Sequence, residues 1–181
     1  LHIIEESPSQ RNRRLEGDAL ATVRSGTALA VQVADCFPVL LAERRAKAVA
    51  AIHAGWRGIL ARVLTKTVAA LSDSLGVDPG MIRVAIGPAI RKCCFEVGDE
   101  VVAQFREAYP QVELSKPRAG RPGKHMLDLR RALDVQCAEA GIPSGNLFDL
   151  QACTRCNPDE FFSYRAEGAR SGRMMGVIAM V

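Results

Sequence analysis

A thiol and an imidazole stand seventeen positions apart, in Asp35-Cys36 and at the head of His53-Ala-Gly-Trp-Arg-Gly58. Thiolate sulfur and imidazole nitrogen are donors that a borderline-soft ion such as Zn²⁺ prefers. A catalytic zinc takes three protein ligands and keeps a fourth position open, and residue type offers two of them here. Without a metal, the same pair could serve as nucleophile and base. The structural alternative is simpler on residue type alone: Cys36 as a small buried apolar side chain and His53 as a core histidine with its hydrogen bonds made.

Four further groups surround this pair in the sequence. In HAGWRG two glycines flank Trp56 and Arg57 directly ahead of a strong helical pattern. Backbone N–H groups at a helix start, backed by a guanidinium, make an anion site suited to phosphate. The same glycines could simply shape a tight strand-to-helix turn over a buried Trp56, and both uses are compatible. Cys93-Cys94 follow Arg91-Lys92; adjacent cysteines are not a typical chelating pair and read as small turn residues, with Cys94 a candidate reactive thiol beside two cations. Cys153-Thr-Arg-Cys156 lacks the second CxxC that a structural zinc site usually brings, and lies too late in the chain for a thioredoxin-like role, so neither use is expected. Finally Phe162, Tyr164 and Arg165, in Phe161-Phe-Ser-Tyr-Arg165, suit a planar ligand carrying an anion, or equally a core strand with a basic loop.

The elements that must position these groups are legible in the apolar pattern. Thr27 to Val33 predicts a buried strand. ADCFP interrupts it, and Pro38, with no N–H, is expected at a bulge or sheet edge. Val39 to Leu41 resume as strand, Glu43 to Lys47 turn, and Ala48 to Ile52 return, giving a hairpin with Cys36 near its start and His53 at its far end. Leu60, Val63, Leu64, Val68, Leu71 and Leu75 recur at spacings of three and four and predict one helix stopped by Gly76. Ile82 to Ile86 is a strand, Asp99 to Tyr109 and Asp128 to Ala140 are helices, and strands near Asn146 to Leu150 and Met174 to Val181 follow. Ser115 to Lys124, with two prolines and two glycines, reads as a mobile surface loop. The opening LHIIEES reads as the end of a strand that begins before the sequence, and not as a signal peptide. The pattern predicts a mixed α/β (α+β) fold, a β-sandwich of mixed sheets with helices outside, in one domain over residues 1–181 that lacks its N-terminal portion.

Composition narrows the function classes. The 181 residues are 48% apolar and 24% charged, which excludes a disordered or collagen-like chain. No run of eighteen apolar residues occurs, so no membrane span or membrane partner is expected. The net charge of +4 suits a small anionic substrate. The basic residues are scattered and form no nucleic-acid motif, so no nucleic-acid partner is expected. Six cysteines without an export signal are expected as reduced thiols in a cytoplasmic protein. Three histidines, His2, His53 and His125, are too few for a trinuclear copper cluster with a blue-copper site unless several chains share ligands.

Taken together, ADCFPVLL, AIHAGWRG, AIGPAIRKCCFEVGDEV and CTRCNPDEFFSYRAEGARSGRMMGVIAM resemble, in this order, the YfiH-like family, known both as a laccase domain or polyphenol oxidase and as a purine nucleoside phosphorylase. The resemblance runs from about Gly17 to Val181. It implies a zinc site of two histidines and one cysteine, in which Cys36 and His53 match two ligands. The other histidine falls in a His-Gly-x-x-Val-x-x-Val pattern whose apolar positions match Leu1 and Ile4. That places it just before Leu1 and leaves His2 at a variable position. The implied activity is phosphorolysis of adenosine, inosine and methylthioadenosine, with purine nucleosides and phosphate as partners and adenosine deaminase activity beside it. By residue type, Cys36 and His53 would be catalytic as well as metal-binding, Arg57 would hold phosphate, Phe162 or Tyr164 would stack on the purine, and Arg165 would join the substrate site. The alternatives are a Cys/His thiol hydrolase or amidase acting on peptidoglycan precursors, a copper-dependent polyphenol oxidase using adventitious copper at the same ligands, and a non-enzymatic purine- or phosphate-binding module.

Overall fold

The structure is a computed structural model that describes residues 1–4 and 16–181; Glu5–Ser7 of the opening segment lie outside the described residues. The strands are β1 (His2–Ile4), β2 (Ala19–Thr22), β3 (Thr27–Val33), β4 (Phe37–Glu43), β5 (Val49–Ala54), β6 (Ile82–Ile86), β7 (Glu96–Gly98), β8 (Ser115–Pro117), β9 (Lys124–Leu127), β10 (Leu147–Asp149) and β11 (Met174–Met180). The helices are α1 (Trp56–Leu60), α2 (Val63–Leu75), α3 (Asp99–Ala108), α4 (Leu129–Glu139) and α5 (Tyr164–Glu167).

Among the described residues the large sheet runs β1-β2-β5-β4-β6-β10. Its middle is antiparallel, and β1 and β10 add in parallel at the two edges. The period-two rule then divides every central strand between two faces. Ala50, Ile52 and Ala54 of β5 join Val39, Leu41, Val84 and Ile86 in a core closed by residues of α1, α2 and α4. Val49 and Ala51 point the other way, onto Leu29, Val31 and Met180. Those residues belong to the antiparallel ribbon β3–β11, which packs over the sheet as the second layer of the sandwich. A small sheet, β7-β9-β8, carries α3. The mixed α/β architecture is as the sequence pattern predicts.

Three local expectations need correction. Pro38 is neither at a bulge nor at a sheet edge: it is the second residue of the central strand β4, opposite His53. Its carbonyl faces β6, accepting from Gly87 N–H at 3.0 Å, so its missing N–H falls where that ladder ends and removes no bond. The single long helix is two, because Arg62 adopts the left-handed conformation (φ 61) between α1 and α2. Buried Gln136 on α4 stands in for the absent cap: its Oε1 accepts from Leu64 N–H (3.1 Å), and its Nε2 donates to the Ile59 carbonyl (2.8 Å) and the Tyr109 hydroxyl (2.7 Å). The Arg62 guanidinium, 4.1 Å above the Tyr109 ring and bonded to the Ala108 carbonyl, fixes the break from outside. Lastly, the ends of the expected 115–124 loop pair as a hairpin; Pro117 is accepted because β8 is an edge strand.

Candidate active site

The β4–β5 hairpin sets Cys36 at the mouth of the sheet, directly ahead of β4, with His53 across from Pro38 on the ribbon side. Cys36 Sγ and His53 Nε2 converge beside Gly55: a Cβ built there would lie 3.1 Å from the sulfur, 3.6 Å from His53 Cε1 and 3.9 Å from Nε2. The other ring nitrogen, Nδ1, is 2.9 Å from Asp18 Oδ1, and the His53 backbone N–H donates to the Asp18 carbonyl at 2.7 Å. The Cys36 partner raises the His53 imidazole to about 9; burial works against this, and the Asp18 carboxylate adds to it. The order is thiol, imidazole, carboxylate, with Asp18 fixing the ring through main chain and side chain alike.

Sequence reasoning missed Asp18. Its only signal was a Gly17-Asp18 pair ahead of a short apolar run, and nothing local reveals that β2 would pair with β5.

Donor chemistry fits zinc at Cys36 and His53. A soft sulfur and an imidazole nitrogen meet, and the second ring nitrogen is held by a carboxylate, the usual outer support of a histidine ligand. Among the described residues no third His, Cys, Asp or Glu atom joins them in a close cluster. His2 Nε2 is taken up by the Glu16 carbonyl at 2.6 Å. Clefts flank Asp18 on two sides. One, of about 520 Å³, is lined by His53, Asp18, Leu20 and Gln32; the other, of about 280 Å³, by Asp18, Gly58, Lys66 and Thr67.

Asp35 carries the far segments to this point. Its φ is 81°, its carbonyl accepts from Ile90 N–H (2.8 Å), and its carboxylate accepts from the Thr154 hydroxyl and from Arg165 N–H, both at 2.6 Å. The aromatic segment is thus anchored next to Cys36. Phe162 and Tyr164 are half exposed, and neither lines the two clefts beside Asp18. The Arg165 guanidinium is committed elsewhere: it donates to the Glu96 carbonyl at 2.7 Å and lies 5.0 Å from the Phe95 ring. Trp56 is partly buried against the core, and Arg57 is exposed, stacked 4.2 Å above the indole.

Cys93-Cys94 and Cys153-x-x-Cys156, expected as separate features, come together: their four sulfurs lie within 4.8 Å of one another. The bridge between Ala89 and Cys153 that joins the two segments is non-local and left no mark in the sequence.

The family model described as multi-copper polyphenol oxidoreductase laccase matches residues 2–181. The chain belongs to that family, and within it to the YfiH-like proteins. It is 37% identical to a purine nucleoside phosphorylase of Bacteroides thetaiotaomicron over 97% of this chain and 65% of the relative. It is 39% identical to adenosine deaminase RL5, from an unknown prokaryotic organism, over 91% of this chain and 63% of the relative. The crystal structure of the Bacillus licheniformis hypothetical protein YfiH superimposes with a TM-score of 0.83 at 31% identity, covering 91% of this chain and 61% of the other. This laccase-domain chain therefore spans less than two thirds of the length of these relatives. Among the described residues no helix is long and apolar enough to cross a membrane.

Proposed function

We propose that this chain carries the catalytic centre of a purine nucleoside phosphorylase with adenosine deaminase activity, with zinc held by Cys36 Sγ and His53 Nε2. The observation that carries the reading is the Asp18–His53–Cys36 arrangement beside an open cleft. The relatives named as phosphorylase and deaminase support it. When bound, the ion supplies a water of lowered pKa suited to attack on a purine C6.

In phosphorolysis a phosphate oxygen bonds to C1′ while the C1′–N9 bond breaks and the base leaves with a proton. In deamination water replaces the C6 amino group, which departs as ammonia. Asp18 holds the imidazole in one orientation for both. Arg57, exposed and braced on Trp56, is the candidate phosphate ligand. Phe162 and Tyr164 offer faces for the purine. Arg165 is a positioning residue, because its N–H holds Asp35 next to Cys36.

A second reading has its own observation. A thiol, an imidazole raised to about 9 beside it and a carboxylate behind the ring are also the parts of a thiol hydrolase. The deciding experiment incubates the chain with adenosine, with and without phosphate, and separates adenine, inosine and hypoxanthine. The proposal expects adenine only with phosphate, inosine without it, and loss of both on chelation or in Cys36→Ala. Turnover that survives chelation but not Cys36→Ala establishes the thiol hydrolase instead. Thermal stabilisation by purines with no turnover establishes a binding module.

A further inference from the structure

We propose that Cys93, Cys94, Cys153 and Cys156 form a second metal site, a structural tetrathiolate centre that takes zinc and is separate from Cys36 and His53.

The geometry comes first. Tetrahedral zinc with Zn–S bonds of about 2.3 Å sets its sulfurs about 3.8 Å apart. Cys156 Sγ lies 3.6 Å from Cys93 Sγ and 3.4 Å from Cys94 Sγ, and all four sulfurs fall within 4.8 Å of one another. A disulfide would need about 2.05 Å. All six cysteines are free.

The backbone around the sulfurs is that of two facing turns. Cys94 and Phe95 N–H donate back to the Arg91 carbonyl at 2.9 Å, and Cys156 N–H donates to the Cys153 carbonyl at 3.2 Å. The turns are zipped by Ala89 N–H to the Ala152 carbonyl (3.3 Å) and Thr154 N–H to the Ala89 carbonyl (3.1 Å). Arg91 N–H points at Cys153 Sγ from 3.5 Å, a donor of the kind that stabilises a ligating thiolate.

Ligand chemistry selects the ion. Four sulfurs and no carboxylate exclude the hard cations Mg²⁺ and Ca²⁺ and favour Zn²⁺. Four protein ligands leave no open position, so the centre is structural. Cys93 and Cys156 are exposed, which gives an ion a way in. The site also has a consequence for the proposed active site. Thr154, inside the CxxC, is the residue whose hydroxyl binds Asp35 beside Cys36. An ion that locks the two turns would hold Asp35, and through it Cys36.

The test uses the full chain carrying Cys36→Ala, which leaves buried Cys137 as the sole thiol outside the cluster. Metal is stripped under reductant and Co²⁺ is titrated in. The expected result is ligand-field absorption of tetrahedral cobalt with near-ultraviolet thiolate charge transfer, saturating at one equivalent and bleached by one equivalent of Zn²⁺. Adding Cys156→Ser should lower the charge-transfer intensity by about a quarter and weaken zinc at least tenfold. Should that double variant not fold, the cobalt spectrum of Cys36→Ala alone decides. No thiolate charge transfer, or an intramolecular disulfide in place of metal uptake, overturns the proposal. Either failure leaves the reading of Cys36 and His53 standing, since the reporting chain lacks that site.

Discussion

Gly55 offers a test of the active-site reading that leaves every candidate ligand in place. Its backbone (φ −76°, ψ 168°) is extended and open to any residue. Alanine there carries no strain, and it restricts the unfolded chain enough to stabilise by about 0.4–1 kcal/mol. The difficulty is space. The new Cβ would lie 3.1 Å from Cys36 Sγ and 3.6 Å from His53 Cε1, in the gap where thiol and imidazole meet. Comfortable carbon contacts begin near 3.5–4.0 Å, so the sulfur must withdraw by about half an ångström. Cys36 precedes β4 directly, and the movement falls on its side-chain torsion, where a turn of ~30° costs about 1 kcal/mol. Gain and cost nearly cancel, so stability should change by no more than about 1 kcal/mol, or about 2–4 °C in Tm. Function should not escape. A misplacement of 1 Å costs about 100-fold, so half that should cost about tenfold. Zinc affinity by competition with a chromophoric chelator, kcat/KM for adenosine phosphorolysis and Tm by calorimetry measure all three. Wild-type affinity and turnover in Gly55→Ala, or a fall of ~10 °C in Tm, would refute the claim that this glycine keeps open a functional gap.

Three further outcomes are expected. In metal-free protein the His53 imidazole, followed by NMR, should titrate near 9 and drop further in Cys36→Ala than in Asp18→Asn. Because its folded value is raised, its contribution to stability is complete below 6.5 and disappears as pH rises through about 9; titration near 6.5 in the unaltered chain contradicts this. Burial pushes the Asp149 carboxyl up, but the Arg91 guanidinium, the Gln151 N–H and Arg130 outweigh it and bring it to about 2. With both partners held at 12–16% exposure, Asp149→Asn should cost about 2–3 kcal/mol in urea unfolding at pH 7. That gap should shrink as pH falls from 5 toward 2, and a gap independent of pH would count against the ion cluster. Gln136→Leu, which orphans the buried Leu64 N–H while the Ile59 carbonyl keeps the Tyr109 hydroxyl and Arg62 N–H, should lose about 1–3 kcal/mol; a loss under 0.5 kcal/mol would mean that the α1–α2 break needs no such cap.

What the sequence revealed divides along local and non-local lines. The strand Thr27–Val33 alternates buried and exposed along its whole length, and the β4–β5 hairpin follows from two apolar runs around a charged turn. Gly76 ends α2 in the left-handed conformation, and Asp128 caps α4 by accepting from Arg131 N–H. These are signals a few residues long. The helix break at Arg62 has neither glycine nor proline to announce it; its causes, Gln136 and Tyr109, are distant in the chain. Proline and glycine content made 115–124 read as a loop, although an edge strand tolerates Pro117. At the site, Cys36 and His53 were legible because one hairpin joins them. Asp18 was not, because it enters through β2, and the four thiols were not, because two separate turns must meet.

Asp35 shows why the candidate site cannot be reduced to Cys36 and His53. A residue at φ 81° is rare outside glycine, and aspartate is among the few types that accept this region. Glycine would fit the backbone equally well, so conformation alone does not select aspartate. The carboxylate does, because its two oxygens accept from Thr154 and from Arg165 N–H, while the main-chain carbonyl takes Ile90 N–H. Three segments that are remote in sequence therefore converge on the residue before Cys36. Each is also tied down elsewhere: Thr154 between two cysteines, Arg165 by its guanidinium to the Glu96 carbonyl, and Ile90 beside the bridge to Cys153. The position of the Cys36 sulfur is thus over-determined from outside the hairpin that carries it. A catalytic or metal-binding thiol needs that placement, and a merely buried one does not.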